Sequence, residues 1–290
     1  MDCVLCPRKC KVDRNKAFGF CEMGKNAVVA KACLHFWEEP CISGNRGSGT
    51  VFFSGCNLKC KYCQNYTISQ ENFGQEISVD SLKQIYLKLQ NQGAHNINLV
   101  NPTHFNHRIK ESLSKNQLRI PIVYNSNAYE TSEALQQMEG LINIYLPDCK
   151  YYSSEVAQRY SGAEDYFKVA SAAILEMSRQ VGESIIDQDG IMQKGLIIRH
   201  LILPGLTKEA IKILDWIKAN LPEKIYVSLM SQYTPYYKAE CYPEINRRIT
   251  RREYEKVLNH FYKLGFENGF MQERDSAEEK YIPDFNLEGV

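Results

Sequence analysis

No stretch of this chain approaches the ~18 consecutive apolar residues that a membrane-spanning helix needs. The first 30 residues mix charges with cysteines and hold no apolar run of the kind that marks a secretory leader, so no signal peptide is expected. Net charge is almost absent. The balance of 35 Lys and Arg against 34 Asp and Glu leaves +1 over 290 residues, too little to draw the whole molecule to nucleic acid or an anionic membrane. These absences point to the cytoplasm, with no membrane partner and no nucleic acid expected. The remainder is ordinary, 44% hydrophobic and 24% charged, and long enough to bury a substantial core in one large α/β domain or two smaller ones.

Cysteine is the residue in excess. Of the 11 cysteines, seven fall in two groups, Cys3, Cys6, Cys10 and Cys21, then Cys56, Cys60 and Cys63. In a reducing compartment disulfides are rare, and such groups read as metal sites or catalytic thiols.

Residues 1–26 read as a small knuckle with minimal secondary structure, and Ala27–Trp37 as one or two strands. The loop EEPCISGNRGSG follows, rich in Gly and Ser. From Thr50 the pattern alternates. The short apolar runs TVFFSG, HNINLV, IPIVYNS, LINIYLPD, GLIIRHLILPG and KIYVSLMSQY are each followed by a helical or loop segment. Strands of this kind suit a parallel sheet covered by helices. Ser78 is placed to cap a helix with Val79, Leu82, Ile85, Tyr86 and Leu89 on one face. A second helix is expected over THFNHRIKESLSKNQ, a long helical zone over Ser154–Gln180, and a hairpin turning at Asp189-Gly190. Thr250-x-x-Glu253 is a capping box.

The predicted class is α/β, a partial (β/α)6 TIM-like barrel with a small N-terminal cysteine-rich knuckle; a doubly wound open sheet is the alternative. The expected division is residues 1–48, the metal-binding segment and the strands leading into the barrel, and residues 49–290, the barrel core. Either architecture puts chemistry at the carboxyl ends of the strands. Cys56 directly follows the first of them.

The segment CNLKCKYCQN, residues 56–65, has the spacing C-x3-C-x2-C and no fourth cysteine close by. A structural zinc site takes four ligands, and a closed iron–sulfur cube takes four thiolates. Three thiolates holding a four-iron cube leave one iron open, the logic of a catalytic metal site that keeps a position for substrate. The competing reading is zinc completed from a distance by Cys41, Cys149 or His104. His104 and His107, near a helix start, are expected on a polar surface rather than at a metal. Cys33 and Cys149 are expected as small core residues.

With Tyr62 just before its last cysteine, this segment resembles the signature of the radical S-adenosylmethionine (radical SAM) enzymes. The resemblance extends to the branch of pyruvate formate-lyase activating enzymes and their uncharacterised iron–sulfur relatives, and the wider stretch EEPCISGNRGSGTVFFSGCNLKCKYCQN is similar to the entry segment of that uncharacterised group. LPDCKYY resembles the Asp-x-Lys element of the fourth strand, IRHLILPG the Arg-x-x-x-x-Pro-Gly element of the fifth, and YNSNAYE stands where activating enzymes carry Thr-Asn-Gly. The likeness spans roughly residues 27–275.

The resemblance implies a [4Fe–4S] cluster on Cys56, Cys60 and Cys63, with S-adenosyl-L-methionine (SAM) chelating the open iron. It implies reductive cleavage of SAM to methionine and a 5′-deoxyadenosyl radical that takes hydrogen from a substrate. It sets Tyr62 against the adenine, Asp148 and Lys150 at the ribose or methionine end, and Arg199 on the methionine carboxylate. Asn127, Gln232 and Tyr233 complete the pocket. The plain alternatives are core packing for Tyr62, a strand-end salt bridge for Asp148 and Lys150, and a rim ion pair for Arg199. One departure stands out. Many relatives carry Gly-Gly-Glu after the second strand; here the place reads LVNPTHF, leaving Asn101, Thr103 or backbone carbonyls to hold the methionine amino group.

Cys3, Cys6, Cys10 and Cys21 have the spacing C-x2-C-x3-C-x10-C, which matches neither a zinc ribbon nor the common ferredoxins. They read as a second metal site, iron–sulfur or zinc, with iron–sulfur preferred because the partner chemistry needs electrons. Arg8, Lys9, Lys11, Arg14 and Lys16 around them read as a solvated face, with an acidic partner such as RNA as the alternative.

The leading functional reading is an oxidoreductase of the activating-enzyme kind, working on a protein or peptide and fed by an electron donor such as flavodoxin or ferredoxin. A radical SAM enzyme for a small molecule fits the same site. The reading from another class is a zinc-stabilised nucleic-acid or protein-binding module without catalysis.

Overall fold

The computed structural model describes residues 3–114, 118–271 and 283–290. Its elements in chain order are β1 (Ala27–His35), α1 (Pro40–Ser43), β2 (Ser48–Phe53), α2 (Tyr66–Ser69), β3 (Gln75–Ile77), α3 (Val79–Asn91) and β4 (Ile97–Val100). A 3-10 turn at Thr103–Phe105 leads into α4 (Asn106–Leu113), then β5 (Ile122–Ser126), α5 (Ser132–Gln136), β6 (Ile144–Pro147), α6 (Ser154–Ser161) and α7 (Tyr166–Val181). The chain continues through β7 (Ile185–Ile186), β8 (Met192–Leu201), α8 (Thr207–Asn220), β9 (Tyr226–Met230), α9 (Arg251–Lys263) and β10 (Asn268–Met271).

The strands form one sheet in the order β10-β9-β8-β6-β5-β4-β2-β1-β3, with β7 paired to β8. Along that path pairing is parallel from β2 to β10 and antiparallel at β1–β2 and β1–β3, and the β7–β8 pair off it is antiparallel too. The path ends on β10 at one side and β3 at the other, so the sheet is open, a partial barrel. All six apolar runs are strands of the parallel array. β10 adds a further parallel strand that its sequence, NGFM, did not signal, because half-buried residues replace the continuous apolar run.

Helix ends follow local chemistry. Ser78 accepts from the Ser81 N–H at 3.0 Å, and Thr250 and Glu253 make a reciprocal capping box. The helical zone expected over Ser154–Gln180 is two helices. Gly162, at φ 59°, adopts the left-handed conformation that ends α6, and α7 starts afresh at Tyr166. The helix expected after β4 opens as a 3-10 turn and runs to Leu113; its predicted tail, Lys115–Gln117, lies outside the described residues. The chain's last stretch runs beside β1, where the Leu287 N–H reaches the Ala30 carbonyl at 3.1 Å and the Ala32 N–H reaches that of Glu288 at 2.8 Å.

Side chains alternate across the strands. One face of the sheet carries Tyr124, Tyr145 and Ile198 into the core beneath the helices. The other carries Val123, Ile144, Leu146 and Ile197, which pack on Cys41 and Ile42 of α1. The short α1 therefore plugs the inner face. Toward the carboxyl ends the same inner positions turn polar, with Asn125, Asp148 and Arg199 continuing the alternation.

Candidate functional site

The cysteine loop starts at Gly55, where φ is +80° and a β-carbon would meet the Cys21 carbonyl at 2.7 Å and collide with Met23. Glycine is required there twice, by backbone conformation and by close approach. Asn101 closes the turn from the next strand by donating to the Gly55 carbonyl at 2.5 Å.

Each thiol of the loop has its own side-chain partner. Asn127 Nδ2 approaches Cys56 Sγ at 3.6 Å while bonding Asn57 Oδ1 at 2.8 Å. Ser161 Oγ donates to Cys60 Sγ at 3.0 Å, and Ser69 Oγ lies 3.2 Å from Cys63 Sγ. Burial pushes the Cys63 thiol up to about 12 and raises Cys60 as well. A metal would take these sulfurs as thiolates.

Tyr62 is buried, edge-on to Tyr160 and Tyr233 with centroids 6.4 and 5.7 Å away, and its hydroxyl meets that of Tyr151 at 2.6 Å. Tyr233 spends its hydroxyl on the Ile245 carbonyl, and Gln232 Nε2 approaches Met230 Sδ at 3.9 Å.

On the inner face Lys150 Nζ pairs with Asp148 at 2.7 Å, and Arg199 Nε reaches the other Asp148 oxygen at 2.8 Å. Arg199 also donates to Glu38 at 2.9 Å and to Asn125 at 2.6 Å. Glu38 Oε1 in turn accepts from Asn98 and Asn125 at 3.0 and 3.2 Å. Burial alone would raise Asp148, but Arg199 and Lys150 outweigh it and hold the carboxyl below its usual range. Burial opposes charge on Lys150 too, yet Asp148 keeps it raised. Beside them Glu39 is buried with Oε2 unpartnered, and burial raises its carboxyl. Glu38, Glu39, Asn98, Ser161 and Ser69 were not anticipated. The one available signal was two adjacent acids, EEP, in a segment that otherwise reads as buried strand and apolar helix.

The remaining candidates are also located. Thr103 Oγ1 donates to Glu130 at 2.5 Å. His104 is buried, not on a polar surface as expected; its Nε2 lies 2.7 Å from the Ser54 carbonyl, and burial drives its pKa down to about 3. His107 is held at the Lys25 carbonyl, 2.9 Å away. Cys41 sits in the α1 plug and Cys149 in the helix-facing core, so neither joins the cysteine loop. Cys33 packs against the small cluster of Ala30, Phe52 and Ile68.

The N-terminal knuckle wraps without regular helix. Cys3 exchanges backbone bonds with Val12 and Lys11, and the Phe20 N–H donates to Cys10 Sγ at 3.2 Å. Cys6 and Cys21 are buried, and burial lifts the Cys6 thiol to about 12, with Cys21 and Cys10 adding to the rise. Among the described residues no three His, Cys, Asp or Glu side chains meet as a pocket for a single metal ion. The basic residues are not all a solvated face. Arg8 donates to the carbonyls of Asn57, Gly162 and Ser161 at 2.8, 2.7 and 3.3 Å. Arg14 is buried and donates to the Met23 and His104 carbonyls. Arg8 thus docks the knuckle on the cysteine loop and on the end of α6, and Arg14 docks it on the turn after β4.

Glu130, wholly buried under this junction, titrates at about 7 against an ordinary 4.5, because burial penalises its charge more than Thr103, Ser126 and Tyr124 relieve it. The native state therefore holds a proton that the unfolded chain releases between pH 4.5 and 7. Stability from this group is full below that window and is lost as pH rises through it, by about 3 kcal/mol. Unfolding of wild type and Glu130→Gln at pH 5 and pH 8 checks this. Wild type should lose about 3 kcal/mol more than the variant, and parallel pH profiles would contradict it.

Fold and site together define an α/β partial-barrel protein with three thiols on the loop after its first parallel strand. The sequence profile of the Radical SAM superfamily matches residues 50–217, more than half of the chain, and the chain belongs to that superfamily. An uncharacterized protein of Methanocaldococcus jannaschii is 35% identical over 266 residues, covering 89% of this chain and 73% of that protein. The crystal structure of Streptococcus suis SuiB aligns with a TM-score of 0.51 at 13% identity, covering 80% of this chain and 50% of that one. At that identity the likeness is one of fold, and this chain spans half the length of SuiB. Members of the superfamily use a [4Fe–4S] cluster and SAM, and the chain is a radical SAM enzyme in this general sense. No helix among the described residues is long and apolar enough to cross a membrane.

Proposed function

We propose that Cys56, Cys60 and Cys63 hold the [4Fe–4S] cluster and that the chain acts on a protein or peptide, in the manner of a glycyl-radical-enzyme activase. The observation that carries the cluster reading is the donor set. Three thiols share one loop at the rim, each is met by a separate side chain, and Cys41, Cys149 and His104 are all engaged elsewhere. That set fits a cube with one open iron better than four-coordinate zinc.

When bound, the cluster and SAM supply an electron and the primary radical that abstracts hydrogen. The chain's own residues bind and orient. Tyr62 offers an apolar ring for the adenine, with its hydroxyl anchored on Tyr151. Asp148 and Lys150 offer an acceptor and a cation for the ribose and methionine end, and Arg199 adds positive charge for the carboxylate. Asn127 braces Cys56. The buried aromatic wall of Tyr62, Tyr160 and Tyr233 excludes water. The peptide reading rests on the resemblance of the chain to the branch that holds the activating enzymes, with YNSNAYE standing where they carry Thr-Asn-Gly, and the sheet is open rather than closed. We propose Cys3, Cys6, Cys10 and Cys21 as a second iron–sulfur site in the 1–48 segment, close enough to the loop to pass on electrons from a flavodoxin- or ferredoxin-type donor.

The test is anaerobic. Protein reconstituted with iron and sulfide is reduced and given SAM, and 5′-deoxyadenosine is measured by mass spectrometry. Wild type is expected to form it, and the combined Cys56→Ala, Cys60→Ala, Cys63→Ala variant is not. No product from fully iron-loaded wild type would overturn the reading.

A further inference from the structure

Four groups run in a line inside the barrel rim. Tyr62 OH lies 2.6 Å from Tyr151 OH, Tyr151 OH lies 2.6 Å from Ser161 Oγ, and Ser161 Oγ lies 3.0 Å from Cys60 Sγ. All four residues are below a tenth exposed, so water does not compete for these contacts.

Their protons can be counted. A hydroxyl has one hydrogen to give. The Ser161 hydrogen goes to Cys60 Sγ, which as a thiolate accepts and does not donate. Ser161 therefore receives from Tyr151, whose hydroxyl also lies within hydrogen-bonding reach of Cys60 itself, and Tyr151 receives from Tyr62. The chain has one direction, and it ends on the sulfur.

We infer that Tyr62, Tyr151 and Ser161 form a one-way hydroxyl relay that sets the reduction potential of the cluster held by Cys60. Tyr151 and Ser161 are positioning residues that act through Cys60, Ser161 by donating to its sulfur and Tyr151 by backing Ser161 and reaching the same sulfur. The inference rests on the proposed assignment of Cys60 as a cluster ligand. Hydrogen bonds to cluster sulfurs are one of the terms that fix its potential. A donor stabilises the reduced cluster, which carries more negative charge, and so raises the potential. Chains of hydrogen bonds polarise one another, so Ser161 backed by two tyrosines donates more strongly than Ser161 alone. A corollary concerns the ligand. With its hydrogen spent on Tyr151, the Tyr62 hydroxyl has only lone pairs to offer, so a ligand group meeting it must be a donor.

The experiment is a redox titration of reconstituted full-length protein followed by low-temperature electron paramagnetic resonance. The signal that SAM perturbs marks the loop cluster and separates it from any N-terminal one. Ser161→Ala is expected to lower the midpoint so that, at the wild-type midpoint, the reduced-to-oxidised ratio falls about tenfold, about 59 mV for a one-electron couple. Tyr151→Phe leaves the Ser161 contact in place and serves if Ser161→Ala does not fold. It is expected to lower the midpoint by a smaller amount, which a purely packing role for Tyr151 would not do. An iron-loaded Ser161→Ala protein with the wild-type midpoint overturns the inference. So does a wild-type midpoint in Tyr151→Phe, since the relay beyond Ser161 would then be inert. If wild type shows no SAM-perturbed signal at all, the assignment of Cys60 fails first and the relay falls with it.

Discussion

Cys60→Ala is expected to remove one cluster's iron, about four atoms per chain, and to abolish reductive SAM cleavage, while metal at Cys3, Cys6, Cys10 and Cys21 stays bound. Cys60 is the most buried of the three loop thiols and is tied to Ser161 at the end of α6. A cube with two thiolates would expose two irons and be lost under chelation. The knuckle has its own backbone closure between Cys3, Val12 and Lys11 and docks through Arg8 and Arg14, none of which involves Cys60. Iron and sulfide assays on the two proteins, followed by chelator challenge, measure the difference. Equal iron contents would count decisively against the loop as a cluster site.

Glu38→Ala is expected to be the most destabilising single change on the inner face. Glu38 and Arg199 are each largely buried, with side chains 10% and 13% exposed, and Glu38 accepts from Arg199, Asn98 and Asn125. Removing the acid leaves Arg199 with less compensation and two asparagine amides without their acceptor. Breaking a buried pair by deleting one partner costs about 3–5 kcal/mol, a fall in melting temperature on the order of 10 °C for a chain of this size. Glu38→Gln retains an acceptor for the asparagines and should lose less. Arg199→Ala combined with Glu38→Ala should cost less than the sum of the two single changes, because the pair is coupled. Thermal unfolding of wild type and the four variants decides it. A Glu38→Ala melting point within a degree or so of wild type would mean that Asp148 alone satisfies Arg199.

These two residues mark the boundary of what was legible before the structure. Cys60 announces itself because its partners Cys56 and Cys63 are three and two intervening residues away on the same loop. Glu38 does not, because its partner Arg199 lies 161 residues further along. Ser161 belongs with Glu38. In sequence it is an unremarkable helix-end serine before a glycine, and it acquires meaning only because α6 ends over Cys60. A place at a helix start marks His104 as a surface residue, yet the knuckle folds over it, with Arg14 on its carbonyl and its ring on that of Ser54.

Residue type and spacing along the chain were enough for the alternating strands and helices, the caps at Ser78 and Thr250 and the three-thiol loop. All of these depend on interactions within a few residues, whose types and spacing are written along the chain. Only the folded chain places α1 as a plug in the inner face, clasps Arg199 between Glu38 and Asp148, pins the knuckle to the cysteine loop through Arg8 and to the turn after β4 through Arg14, seats Gly55 against Cys21 and Met23, and ends a line of hydroxyls on Cys60. Those contacts depend on how the sheet curls and where each helix end comes to rest. Many distant residues have the right chemistry to pair, and only the fold brings particular ones within hydrogen-bonding distance.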